Sequence, residues 1–340
     1  MDNKEVHEGR PEPKSNRTGK KAAYAIPAVI LILMLAGVLA FLLRYGPSFG
    51  IYLRRPSPQA YVKAALSFME NGYYSSTEEW MQAKAEALEE LSEVISYEDT
   101  WPILRRALSA AGGKHSRLIT PADMEEERQE AITLPLVSID SMEKGIVTVV
   151  LPEFTKGPAE AQEYAHIVIS WLKEHQDATG VIVDLRGNRG GDIAPMIAAL
   201  SPLLPDGEVL GVMYASGQVQ RMTLKDGAFT GSSSIKVGSF KMPQALPVAI
   251  LTDEGTASSG EAVLLAFRGL ENVQSFGAST AGYASTNTVF MLYDGTEIVL
   301  TIGADISPRT GEIFCEDPIV PDVPSECPEQ DATAWIQSLR

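Results

Sequence analysis

Residues 22–43 restrict the possible folds of this chain more than any other stretch: they are rich in Ile, Leu, Val and Ala and carry no charge. A helix needs about 20 such residues to cross a bilayer core. No amphipathic stripe divides the run into a buried and a wet face, which argues against the alternative, a helix buried in a globular core. The run is too long for the apolar part of a secretory signal, although Val38-Leu39-Ala40 gives a weak small-residue cleavage pattern. The expectation is an uncleaved, single transmembrane helix. Arg17, Lys20 and Lys21 crowd before it, while Arg44, Arg54 and Arg55 follow more sparsely. That bias puts the tail, 1–21, in the cytoplasm and everything after the anchor outside it, in the cell membrane's extracytoplasmic space.

Charge supports the division. The formal net charge of the 340 residues is −16, whereas 1–21 carry six Lys/Arg against four Asp/Glu, leaving −18 for the remainder. An acidic body argues against a nucleic-acid surface. The two cysteines, Cys315 and Cys327, permit one disulfide outside the cytoplasm or two free thiols. No histidine lies near them, so a structural zinc site is set aside; neither a metal nor a cofactor is expected.

A stalk with Gly, Pro and Ser (44–57) precedes a helical region (58–130). Ser76-Thr77-Glu78-Glu79 reads as a capping box opening a helix to 91. Thr100-Trp101-Pro102 begins another, ended by Gly112-Gly113, and Thr120-Pro121 opens a short acidic one. From 131 to 340 strands and helices alternate. Strands are expected at 146–151, 180–185, 209–214 and 247–252, with helices at 159–174, after Asp192 and at 257–267. Two further strands, 288–292 and 297–302, flank the Asp294-Gly295 turn. This pattern is an α/β layer architecture. The Gly- and Ser-rich segment 226–242 reads as an exposed insertion able to cover a site.

Three loops carry candidate chemistry. Asp184-Leu185-Arg186-Gly187-Asn188-Arg189-Gly190-Gly191-Asp192 joins a strand to a helix, and its glycines let backbone N–H groups approach an anion; a plain tight turn is the alternative. Gly255-Thr256-Ala257-Ser258-Ser259-Gly260-Glu261 sets a serine among small residues at another strand-to-helix junction. There it serves either as a helix N-cap or as an exposed nucleophile with the next N–H beside it. Gly112-Gly113-Lys114-His115-Ser116 places one of only four histidines in a glycine-bounded loop, as an idle surface group or as the base a serine needs.

Taken together, in this order and at these separations, the motifs resemble the C-terminal-processing (tail-specific) serine peptidase superfamily. The similarity is to its branch around the tricorn core and the interphotoreceptor retinoid-binding protein modules. It covers roughly residues 95–325 and rests on the Gly-Gly-Lys-His115-Ser loop, "GIVTVVLPEF" at 145–154, Val183-Asp184-Leu185-Arg186 through Gly191, the 256–261 block, Thr280-Ala281-Gly282 and Pro321-Asp322. The resemblance implies a ClpP/crotonase-like ββα-superhelix core and hydrolysis of peptide bonds in a peptide or protein substrate. It implies Ser258 as nucleophile, with the N–H of Ser258 or Ser259 plus that of Gly190 or Gly191 as oxyanion hole. Family members of the Ser-Lys type carry a lysine some two dozen residues past the serine; here no lysine follows Lys241. A Ser-His-acid arrangement fits instead, with His115 as base and Glu316, or the adjacent Asp317, as the acid. The interval from Thr120 to Ile146 is too short for the PDZ domain of many relatives. A non-catalytic binding module of the same fold is the alternative function, and an acyl-CoA enzyme of crotonase type is a third.

Overall fold

The computed structural model describes residues 17–46, 51–133, 137–143, 145–231 and 233–339. The chain divides into two compact units, Met1–Arg55 and Pro56–Arg340. In the first, helix α1 (Arg17–Tyr45) contains the uncharged run and leaves Val29 to Leu35, Val38, Leu39, Phe41 and Leu43 exposed. Among the described residues no helix is long and apolar enough to cross a membrane, so the transmembrane helix expected over 22–43 is not found there. The side chains of 17–26 and 28, and the tail 1–16, lie outside the described residues.

The second unit opens with α2 (Pro58–Met69), α3 (Glu78–Glu89), α4 (Thr100–Gly112), strand β1 (Arg117–Ile119) and α5 (Pro121–Thr133). There follow β2 (Ser138–Glu143), β3 (Ile146–Val150), α6 (Pro158–Glu174), β4 (Gly180–Asp184) and α7 (Ile193–Ala199). Next come β5 (Gly207–Tyr214), β6 (Val219–Lys225), β7 (Ala228–Thr230), β8 (Ser234–Lys236), β9 (Val248–Thr252) and α8 (Ser259–Phe267). The chain ends with β10 (Val273–Gly277), β11 (Ser285–Met291), β12 (Glu297–Ile306), β13 (Ile313–Phe314), β14 (Val323–Pro324) and α9 (Pro328–Ser338).

One sheet runs β14-β10-β9-β4-β3-β2 and is parallel except where β2 meets β3. Its central strands β4 and β9 are buried along their whole length because helices cover both faces. Val181 and Val183 join the cluster built with α6, α7 and α8, while Ile182 between them packs with Ala332 and Ile336 of α9. Each such side chain, fully buried, contributes about 1.5–3 kcal/mol. In this sheet Ser258 follows the C-terminal end of β9 and the Gly190-Gly191 loop follows that of its neighbour β4, so adjacency of two strands brings two candidate loops together.

The other sheet is antiparallel, β1-β12-β5-β6-β7-β8, with β11 and β13 also paired to β12. Long β12 forms its spine. Val299 lies opposite Arg117 on one side and Val289 on the other, which sets the His115 loop, just before β1, beside the start of β11. The helical region packs on this sheet: Tyr61, Leu66, Trp80, Leu104 and Leu108 form one cluster with Ile298 and Leu300. Helix α3 starts at Thr77, whose Oγ1 accepts the Trp80 N–H at 3.2 Å, rather than at Ser76. The 226–242 segment is not an exposed insertion. It contributes β7 and β8 to the sheet and buries Phe229, Ile235, Val237 and Met242, because apolar residues recur within its glycines and serines. Cys315 and Cys327 are free thiols.

Candidate active site

Ser258 occupies the N-cap position of α8, but not as other caps do. Ser57, Thr77 and Asp192 cap their helices from extended backbone, whereas Ser258 has φ 52°, ψ −120°. A non-glycine residue in so sparsely populated a conformation costs about 1–3 kcal/mol and persists only where its surroundings enforce it. The enforcing groups are visible. Asn188 accepts the Ala257 N–H at 2.9 Å, Leu185 O accepts the Thr256 hydroxyl at 2.9 Å, and the Glu261 carboxylate reaches back to the Ser258 N–H at 2.9 Å. Glu261 is fully buried and also accepts the Thr280 hydroxyl and the N–H groups of Gly282 (2.9 Å) and Tyr283 (2.7 Å). Burial raises its pKa, and these four donors oppose the rise.

Gly190 lies against the serine. A Cβ on it would come within 2.7 Å of Ser258 Cβ and 3.0 Å of both Ser258 Oγ and the Ser259 nitrogen. The Gly190 N–H itself is engaged, donating to Asn188 Oδ1 at 2.9 Å, and its carbonyl accepts from Phe154. This corrects the expectation that either glycine serves as oxyanion donor: Gly190 supplies space, not a hydrogen bond. Gly191 accepts the Ser259 hydroxyl at 2.6 Å. Among the described residues the N–H groups of Gly191 and Ser259 have no protein acceptor.

His115 and Ser258 line one cavity of about 840 Å³. They are not hydrogen-bonded to each other among the described contacts. The imidazole is held through Nδ1, 2.8 Å from Ser285 Oγ at the start of β11. Tyr283 meets it edge-on at 5.1 Å between centroids, and Lys114 stands 4.7 Å over that tyrosine ring. Burial, with Arg117 and Lys114 adding to it, pushes the His115 pKa down to about 4, so the ring is neutral at physiological pH.

Glu316 is not placed where a triad acid belongs. Its Oε1 accepts the backbone N–H of Lys114 at 2.6 Å, one residue before the histidine, and the hydroxyl of Ser285 occupies the Nδ1 position. Neither Glu316 nor Asp317 is hydrogen-bonded to His115. Sequence reading missed Ser285, because a serine at a strand start has no distinguishing pattern; only β11–β12 pairing carries it to the histidine. It also missed Asp305, a cavity-lining carboxyl 3 % exposed, although an acid inside the apolar run 298–306 was a visible signal. Among the described residues no cluster of His, Cys, Asp and Glu could hold a metal ion.

Residues 145–325 match the family described as peptidase family S41. Over 310 residues the chain is 37 % identical to the nisin-resistance protein of Lactococcus lactis subsp. lactis, covering 91 % of this chain and 96 % of that one. It is 25 % identical over 166 residues to the carboxy-terminal processing protease CtpA of Bacillus subtilis (strain 168), 48 % of this chain and 32 % of the relative. Among solved structures, a lipoprotein from Streptococcus agalactiae superposes with TM-score 0.74 at 30 % identity, over 85 % of this chain and 99 % of the other. The photosystem II D1 C-terminal processing protease shares the fold at TM-score 0.56 and 14 % identity, over 80 % and 94 %. With the motif-bearing core matched along more than half its length, the chain belongs to peptidase family S41.

Proposed function

We propose that this protein is a membrane-anchored serine peptidase that cleaves peptide bonds through an acyl-enzyme on Ser258. The observation that carries the reading is the strained Ser258 elbow, open to a cavity it shares with a neutral histidine that Ser285 holds through Nδ1. In the tautomer whose Nδ1–H donates to Ser285 Oγ, Nε2 is unprotonated and serves as base. Ser258 Oγ attacks the substrate carbonyl carbon as its proton passes to His115 Nε2. The oxyanion is stabilised by the N–H groups of Gly191 and Ser259. The imidazolium then protonates the departing amine, and water, activated by the same nitrogen, releases the acid. Ser285 takes the orienting role that the family resemblance would give to Glu316; Glu316 acts one step away by fixing the Lys114 backbone.

The uncharged run 22–43 and the exposed apolar side chains of α1 support an anchor in the cell membrane, with the N-terminus cytoplasmic and the 56–340 unit outside. A relative named for nisin resistance makes nisin and similar peptides the first substrates to test. The experiment is fluorophosphonate labelling of the detergent-solubilised full chain beside Ser258→Ala and His115→Ala. Labelling of the wild type that is lost in both variants is expected. A folded wild type that never labels would refute the peptidase reading in favour of a binding module.

A further inference from the structure

The cavity that Ser258 and His115 line is chemically mixed. Beside charged groups such as Arg117, Glu153 and Arg189, its lining includes Ile193, Leu210, Met222 and Ala262, all buried and apolar, and the buried carboxyl of Asp305. Pairing explains the arrangement. Asp305 of β12 stands opposite Val212 of β5; Leu210, two residues along β5 and so on the same face, stands opposite Met222 of β6. The lining also takes in Ala262, four residues past Ser258 and therefore on its side of α8, and Ile193, two residues past Gly191, whose N–H has no acceptor among the described residues. Two of the apolar lining residues thus sit close in the chain to the candidate nucleophile and oxyanion donors.

Among the described residues Asp305 has one side-chain hydrogen-bond partner. Its Oδ1 accepts the Thr286 hydroxyl at 3.0 Å, and no lysine or arginine forms an ion pair with it among the described residues. The charged neighbours acting on it are acidic or neutral: Glu261 opposes its ionisation, and Cys315 lies close enough to feel its charge. Burial raises its pKa to about 7. A buried carboxyl without a cation is ionised at a cost or neutralised by a proton, and a cation supplied from outside favours its ionised form. The link to the catalytic machinery is short, since Thr286, which holds Asp305, follows Ser285, which holds His115. A register shift between Thr286 and Asn287 accompanies these two roles at the start of β11.

We propose that Asp305 is a specificity-determining residue that receives a lysine or arginine side chain flanking the scissile bond of the substrate. The inference rests on the peptidase reading above. The methylene stem of such a side chain packs between Leu210, Met222, Ile193 and Ala262, and its head pairs with the Asp305 carboxyl. Neither a short neutral side chain nor an acidic one satisfies both parts of this pocket.

The test uses the full chain in detergent and matched peptides that carry either lysine or its uncharged isostere norleucine at each position flanking the cleavage point, with products mapped by mass. A kcat/KM ratio of lysine to norleucine of about 100 or more at one flanking position is expected, falling below about 10 in Asp305→Asn. Equal rates for the two peptides, a ratio that survives Asp305→Asn, or the same loss toward both peptides would each overturn the proposal, the last by reducing Asp305 to a support for Thr286. Fluorophosphonate labelling of the wild type separates this failure from failure of the peptidase reading. In a protein that does not label or cleave, stabilisation by n-butylguanidinium in a thermal shift, present in the wild type and lost in Asp305→Asn, supports the pocket, and its absence overturns it.

Discussion

Gly190→Ala isolates the space in front of Ser258, the proposed nucleophile, from the rest of the fold. Gly190 has φ +110°, a conformation L side chains rarely adopt, so alanine costs about 1–3 kcal/mol in backbone strain alone. The added methyl also stands 2.7 Å from Ser258 Cβ, where ordinary contact starts at 3.4 Å, so one partner must move by 3.4 − 2.7 = 0.7 Å. Relief by shifting the glycine is opposed by its hydrogen bonds to Asn188 Oδ1 and from Phe154 N–H. Relief by shifting the serine is opposed by the Glu261 bond and by α8 behind it. Whichever yields, the methyl occupies the approach to Ser258 Oγ and the Ser259 N–H, each 3.0 Å from it.

A displacement of about 1 Å in a catalytic constellation costs on the order of 100-fold in rate, so a loss of at least about that size is expected in fluorophosphonate labelling and in kcat/KM. Gly187→Ala is the control. It too has a positive φ, +70°, but a Cβ there meets nothing within 4 Å. It should lower the melting temperature through backbone strain, by roughly 2–4 °C per kcal/mol, without closing the site. Second-order labelling rates beside thermal melts of both variants decide the matter. Wild-type labelling by Gly190→Ala, or an equal loss in Gly187→Ala, would refute the idea that Gly190 is glycine in order to leave room for the reacting atoms.

Two further outcomes follow from how His115 is held. Ser285→Ala should reduce kcat about 10- to 100-fold by freeing the imidazole, with recovery in Ser285→Thr, while Glu316→Gln should cost stability of about 1 kcal/mol and only a few-fold in kcat; steady-state kinetics showing the reverse order would return the orienting role to Glu316. The imidazole protonates near 6.5 in the unfolded chain but only near 4 in the fold. Between these values the unfolded state binds the extra proton, so stability is full above 6.5 and falls by about 3 kcal/mol as pH drops toward 4. The acid limb of kcat/KM should accordingly have its midpoint near 4, and a midpoint near 6.5 would show His115 to be solvated in the working enzyme.

The parts of the molecule legible in the sequence are those where one residue type has one dominant physical use. Apolar runs at 146–151, 180–185 and 247–252 became parallel strands because nothing but burial on both faces suits them. Ser258 and His115 stood out because small residues and glycines bracket them, and both line the cavity. What stayed illegible depends on direction. Gly190 and Gly191 are indistinguishable as letters, yet the N–H of one is spent on Asn188 while the other has no acceptor. Glu316 does approach the histidine loop, but its oxygen meets the backbone N–H of Lys114, a one-residue offset that no spacing encodes. Composition misled at 226–242, where glycine and serine outweighed Phe229, Ile235 and Val237, although these buried positions were the stronger physical signal. Asp305 shows the converse. A lone acid within Ile298–Ile306 contradicts the burial that the rest of the strand demands, and in a fold otherwise built by burial such a contradiction marks the place where a ligand's chemistry enters.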